Sequence, residues 1–404
     1  MTDRQKTSSG MRLNGLTLAP PQVLGGVRLV PLIRSGHRED LRLSPRVYSE
    51  EFAFVEIDPK TVYTSYVPHG LVANWTTDGG AVYGSQMALA AKKKDGKSYG
   101  RFMTARGLRK MARREGKTQL RFLPLHVAME GLLALHFGGP DIAWTEYSTA
   151  VMRTGLSPRS ETVVPGDQIA GLDDALRLFE IHENQVGMLV FVSESLASAF
   201  VVPHPDDYTA LHHTLITDFY GELIWQFGCY ATENVMFPEP INMQSIESIA
   251  DLRREVDALR RRWNRFNTMM SPALFDRAYH SERVYRFKPF SLERFVTDLD
   301  PSAENHIGEA IYADDGTLQY LKTYRLSSAQ TRRAYLLSQL AGQDWDLERC
   351  AETLDCRKNE LILRLENAGF GYLLHQHVLD EARATEKKRL KSGLSGVSRA
   401  DLLS

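Results

Sequence analysis

Cysteine is scarce in this chain: Cys229, Cys350 and Cys356 are the three thiols among 404 residues. Their spacing gives neither a disulfide framework nor a CxxC metal pair, so a reducing, cytoplasmic setting is the expectation. No apolar run approaches the roughly 20 residues of a membrane span, and the opening MTDRQKTSSG lacks the apolar stretch of a signal peptide. Net charge is lacking too, with 49 basic residues against 50 acidic ones. Attraction of the whole protein to nucleic acid is therefore not expected; local asymmetry must supply any such effect. The chain has no GxSxG elbow, no GxxxxGK[ST] phosphate loop, no GxGxxG fingerprint and no HExxH pair. We therefore expect no cofactor, no metal and no catalytic residue, and a protein that is not an enzyme.

What is present reads as α+β and multidomain, two or three units by length. Residues 12–75 carry the runs LTLAP, VRLVPLI, FAFVEID and TVYTSYVP, punctuated by Pro20-Pro21 and Gly25-Gly26. Such β-branched, alternating runs between turn residues predict strands. QVGMLVFVSESLASAFVVP predicts a β-hairpin about Ser193-Glu194-Ser195, after a short amphipathic helix at Leu172–Ile181. Pro205-Asp206-Asp207 then opens a helix expected to reach Phe227, with Asp206 as its N-cap.

VGMLVFVSESLASAFVVPHPDDYTALHHTLITDFYGELI and the earlier LNGLTLAPPQVLGGVRLVPLI resemble the ARPP domain (ARG- and rhodanese-phosphatase-superfamily-associated protein) over residues 12–228. That resemblance implies a bacterial accessory protein found beside ADP-ribose-handling and phosphatase-like enzymes, in a defence (antiviral) or stress locus. It carries over no catalytic residue.

Residues 241–325 are expected to form a long basic helix followed by a small β segment. Ile249, Leu252, Val256, Leu259, Trp263 and Phe266 repeat at heptad spacing, which predicts a seam for a homodimer or for packing within the chain. Asp314-Asp315-Gly316 marks a hairpin between IYA and LQYLKTY, and Ser327-Ser328 caps a helix running to Leu340.

Residues 326–380 contain LERCAETLDCRKNELILRLENAGF. Leu347, Ala351 and Leu354 give one apolar face, Asp355-Cys356-Arg357 a turn, and Leu361, Ile362 and Leu365 the face of a second helix closed by Gly369. These positions resemble the helix-turn-helix of the Fis/NtrC type, with two departures: Asp355 where glycine is usual, and Glu360 for a small polar residue. In such a motif the second helix enters the major groove by its N-terminal end. Arg357, Lys358, Asn359 and Arg364 are then the residues that reach phosphates and base edges. Residues 381–404 are expected to be a flexible basic tail.

Positive charge is concentrated at Lys92–Arg121, where twelve Lys or Arg face only Asp95 and Glu115. Lys92, Lys93 and Lys94 open the block. Arg106, Arg109, Lys110, Arg113 and Arg114 would share a helical face able to neutralise phosphates. His204, His212 and His213 cluster near Asp206, Asp207 and Asp218, and His126 with Glu130 forms a second pair; both sets are expected to be hydrogen-bonded helix faces rather than catalytic groups. The function expected is a non-enzymatic, nucleic-acid-binding accessory or regulatory protein, an oligomer with partner proteins from its own locus and no membrane attachment. The alternatives are a protein-interaction module, and an enzyme or sensor for a phosphorylated nucleotide such as an ADP-ribose derivative.

Overall fold

The β-branched and aromatic runs form two antiparallel sheets, and the second is inserted into the chain of the first. The computed structural model describes residues 6–24, 26–43, 177–192, 195–215, 241, 243–371 and 374–391, with strand backbones at 54–58, 61–64, 71–75, 81–92, 98–104 and 107–108. Strands β1 (Lys6–Ser9), β2 (Thr17–Leu18), β3 (Gln22–Leu24) and β4 (Val27–Ile33) begin the first sheet. The inserted sheet holds β5 (Leu41–Leu43), β6 (Phe54–Asp58), β7 (Thr61–Thr64), β8 (Leu71–Trp75), β9 (Ala81–Lys92), β10 (Ser98–Thr104) and β11 (Gly107–Leu108). The first sheet resumes with β12 (Gln185–Val192), β13 (Ser195–Val201), β14 (Ala278–Phe287), β15 (Phe290–Thr297), β16 (His306–Ala313) and β17 (Leu318–Arg325). Its order is β1-β14-β15-β16-β17-β13-β12-β4-β2, with β3 also on β4.

This order joins segments that the sequence separates. β13 of the 12–228 segment pairs with β17 of the 241–325 segment, Ser198 opposite Tyr324, and Lys6 pairs with Ser281. No sheet boundary falls between the two expected domains. One face of the sheet carries the core: Val30, Leu32, Leu189, Phe191, Ala199, Val201, Phe295, Ala310 and Leu321 pack together, with Met11 and Leu274 against them.

The helices follow the chain as α1 (Pro205–Thr214), α2 (Ile249–Met269), α3 (Pro272–Phe275), α4 (Ser328–Gly342), α5 (Leu347–Thr353), α6 (Lys358–Leu365) and α7 (Gln376–Lys391). α4 begins with a complete capping box: the Ser327 side chain accepts from Gln330 N, and the Gln330 side chain accepts from Ser327 N. α1 is capped by His204, whose Nδ1 accepts from Asp206 N, not by Asp206 as expected. Pro205 at N1 places the cap on the residue before it, two positions upstream of Asp206, because the cap must precede the helix. The heptad seam of α2 is divided. Phe266 is buried on the chain's own sheet, where the Arg28 guanidinium lies 4.4 Å from its ring centre and 4.6 Å from that of Phe191. At the other end of α2, Ile249 is 72 % exposed and Leu252 42 %, while Val256, Leu259 and Trp263 are partly covered. The expected flexible tail is helical to Lys391 in α7, because Leu379 and Ala382 bury against Ile362 of α6. Phe102 and Met103 of the basic block lie in β10.

α6 ends in a wider turn, Glu366–Phe370, in which Gly369 takes φ 84°. A Cβ there would meet nothing closer than Arg333 Nη2 at 3.9 Å, so only backbone conformation opposes a side chain. Gly369→Ala is expected to cost about 1–2 kcal/mol and Gly369→Asn less, read as urea midpoints. Equal midpoints for all three proteins would contradict this.

Candidate functional site

Among the described residues, two places bring together side chains with binding chemistry. The first is the pair α5 and α6. Asp346 caps α5 by accepting from Glu348 N (2.8 Å) and Arg349 N (3.2 Å), and these backbone donors hold its carboxyl below the ordinary range. Leu354–Arg357 makes the turn, with Asp355 at φ 48° in the place where glycine would be expected and Cys356 N bonded to Ala351 O at 2.9 Å. Cys350, Ala351, Leu361, Leu365 and Phe370 pack with Leu337 and Leu340 of α4. That packing turns the N-terminal end of α6 outward.

Arg357 and Lys358 lie there and Arg364 lies in the last turn of α6, with 47 %, 46 % and 40 % of their side chains exposed, and Asn359 is partly exposed beside Lys358. Each of the three cations meets a carboxylate. Lys358 Nζ is 2.8 Å from Glu348, which raises its pKa. Arg364 donates to Glu360 at 2.7 Å. Arg357 lies 3.6 Å from Glu360 and 3.5 Å from Glu386 of α7, whose side chain is 8 % exposed. The expected basic end of the helix is thus balanced by its own domain.

The second place lies beyond β4, where the loop meets the cap of α1. Nδ1 of His204 accepts from a backbone N–H, so its neutral ring carries the proton on Nε2 and donates to Glu39 Oε1 at 3.1 Å. His37 Nε2 is 3.7 Å from the same oxygen, and the rings of His37 and His204 meet edge to face at 4.4 Å. Arg42, in β5, links Glu39 to the buried Asp207. Its Nη1 is 3.2 Å from Glu39 Oε2, and its Nη2 and Nε donate to Asp207 at 2.9 and 3.2 Å. The hydrogen bond from His204, with Arg42 nearby, holds Glu39 below the usual carboxylate range. His212 takes no part: it is bonded to Tyr208 Oη (3.1 Å) and Phe179 O (3.3 Å).

Buried charge also crosses the sheet. Glu282, Arg294, Glu309 and Lys322 are successive cross-strand partners on β14 to β17, with side-chain exposures of 34 %, 14 %, 4 % and 0 %. Arg294 donates to Glu282 at 3.1 Å, whereas Lys322 Nζ is 3.9 Å from Glu309. Burial pushes Lys322 down to about 7 and Glu309 up.

Of the other expected residues, Lys92 closes β9. Lys93, Lys94, Arg106, Arg109, Lys110, Arg113 and Arg114 lie outside the described residues, as do His126, Glu130, Asp218 and Cys229. His37, Glu39 and Arg42 were not expected, since they lie about 165 positions from their partners and share no local motif with them.

The fold and these sites define an α+β protein of large antiparallel sheets with a C-terminal group of helices. Within that class the ARPP-2 family profile matches residues 11–288, and the chain belongs to the ARPP-2 family. The match crosses the expected 228–241 boundary, as the shared sheet requires, and ends before α4. No curated protein and no solved structure matches the chain. No described helix is long and apolar enough to cross a membrane.

Proposed function

We propose that the chain is a non-enzymatic accessory or regulatory protein that binds nucleic acid through α6, in a bacterial defence or stress system. The carrying observation is that Arg357, Lys358 and Asn359 sit together at the outward N-terminal end of a helix following a tight turn, with Arg364 in the last turn of the same helix. That arrangement resembles a Fis/NtrC-type helix-turn-helix, whose second helix leads with its N-terminal end. Ion pairs at an exposed rim contribute little, so phosphates can replace Glu348 and Glu360 as partners. The exposed Ile249 and Leu252 of α2 suit a second copy, which would set two such helices on successive half-sites. Fluorescence anisotropy with a labelled random duplex across a salt series tests this proposal. Arg357→Ala with Lys358→Ala is expected to weaken binding at least about tenfold and to flatten the salt slope by about 2. Unchanged affinity would remove the proposal.

A second proposal, docking on a partner protein, is favoured by the carboxylate matched to each of the three cations. Its mark is retention of a stoichiometric partner on purification together with no duplex binding at low salt.

A further inference from the structure

The cluster at the cap of α1 has chemistry that nucleic-acid binding does not use. We infer that His37, Glu39 and His204 form a site for one divalent ion of the zinc, cobalt or nickel kind, with a coordination position open to solvent. The donor atoms of these three residues all lie within 4.8 Å of one another. Glu39 Oε1 is 3.1 Å from His204 Nε2 and 3.7 Å from His37 Nε2. A tetrahedral ion with bonds of about 2.0–2.2 Å separates neighbouring ligand atoms by roughly 3.3–3.5 Å, within that span. Two imidazoles and one carboxylate are the donor set of a zinc site that keeps its fourth position for water or a ligand.

The surroundings orient these ligands as outer partners do in metal sites. Arg42 holds Glu39 by Oε2, which leaves Oε1 for the ion, and Arg42 is fixed in turn by Asp207, whose side chain is 3 % exposed. The His204 side chain is 6 % exposed and cannot swing away, while Asp206 Oδ2 stands 3.5 Å from its Nδ1. His37 and Glu39 reach solvent, so an ion has a way in.

Coordination needs the Nε2 lone pair of His204. In the metal-free form that nitrogen carries the proton, because Nδ1 accepts from Asp206 N. On binding, Nε2 gives up its proton and Nδ1 gains one, which then points to the Asp206 carboxylate, and the bond to Glu39 Oε1 is replaced by two bonds to the ion. Asp206 N–H loses its acceptor, so affinity is moderate rather than that of a closed structural site.

The test is a titration of the full-length, chelator-treated protein with Zn(II) by calorimetry and with Co(II) by visible absorption. One equivalent should bind, with the absorption of four- or five-coordinate cobalt. Glu39→Gln and His37→Ala, both at exposed side chains, should each weaken it roughly tenfold or more, and Arg42→Gln should weaken it through loss of orientation. His375→Ala with His377→Ala removes the stacked histidine pair at the start of α7 and should change nothing. No binding with metal in excess, or binding that survives both Glu39→Gln and His37→Ala, overturns the inference. Neither result bears on the duplex measurement, so the two proposals fail separately.

Discussion

Glu309→Leu should destabilise the folded chain by about 3–5 kcal/mol, and Lys322→Met by clearly less. The asymmetry comes from the order of charges across β14 to β17. Without Lys322, Glu309 still faces Arg294 on the neighbouring strand. Without Glu309, Lys322 keeps no carboxylate among its cross-strand neighbours, since Phe200 stands opposite it on β13. Its ammonium, 0 % exposed, must then be buried unpaired or released as the neutral amine. The double variant should recover most of the loss, because a buried pair replaced by apolar groups of similar volume is nearly neutral. The pH dependence gives a second reading. A lysine whose folded pKa is pushed to about 7, against about 10.4 when unfolded, binds fewer protons folded than unfolded between those values. Its contribution therefore rises with pH through that window, and it does so alike in the native chain and in Glu309→Leu, whose buried amine is neutral there too, so the deficit of Glu309→Leu should change little between pH 7 and 10. Urea denaturation of the four proteins at both pH values measures all of this. Equal losses for the two single variants would overturn the ladder as drawn.

The parts of this fold that are written locally could be predicted from the sequence. Ser327-Ser328 announced the start of α4, and Asp314-Asp315-Gly316 the β16–β17 turn, where Gly316 takes φ 81°. The apolar runs QVGMLVFV and SLASAFV gave β12 and β13. Leu361, Ile362 and Leu365 gave the packing face of α6. Each signal lies within one element or the turn that bounds it. What was missed depends on chain closure over long separations. Nothing in KTSS says that it will pair with AYHS, yet Lys6–Ser9 runs antiparallel to Ala278–Ser281.

The candidate sites divide the same way. Arg357, Lys358 and Arg364 could be named from spacing, but the carboxylate 3.5 Å from Arg357 comes from α7, a segment that composition alone marked as a loose tail. In the SGHRED run, His37 and Glu39 resemble any charged loop until His204 and Asp207 arrive from the far side of the inserted sheet. The charge density of Lys92–Arg121 drew attention to a helix, while the seven residues Ser98–Thr104 form a strand against β9. Charge density does not report secondary structure. Hydrophobic periodicity does, and in that block it was short and interrupted.

Acid should weaken this protein through His306 before most of its carboxylates protonate. His306 starts β16 at 0 % exposure, with Nδ1 3.2 Å from Thr323 Oγ1 and its backbone N donating to Thr297 Oγ1 at 2.8 Å. Its Nε2 has no hydrogen-bond partner among the described residues. Burial, with Arg325 and Arg277 nearby, lowers its pKa to about 3. The unfolded chain protonates this imidazole at about 6.5, so below that pH the unfolded state binds the extra proton and gains. Stability falls by roughly 1.4 kcal/mol for each pH unit between about 6.5 and 3, close to 3 kcal/mol by about pH 4.5. His306→Gln keeps a polar group near Thr323 without the titration. It should cost some stability at pH 7 and then lose less than the native chain as the pH drops, so that the two urea midpoints converge toward pH 4.5. Exposed carboxylates held low by local hydrogen bonds, such as Asp300 and Asp315, also lose stabilisation in acid, but they do so equally in both proteins and cancel in the comparison. Parallel midpoints from pH 7 to 4.5 would mean that His306 is already protonated in the fold, and would contradict a neutral imidazole buried between β15 and β17.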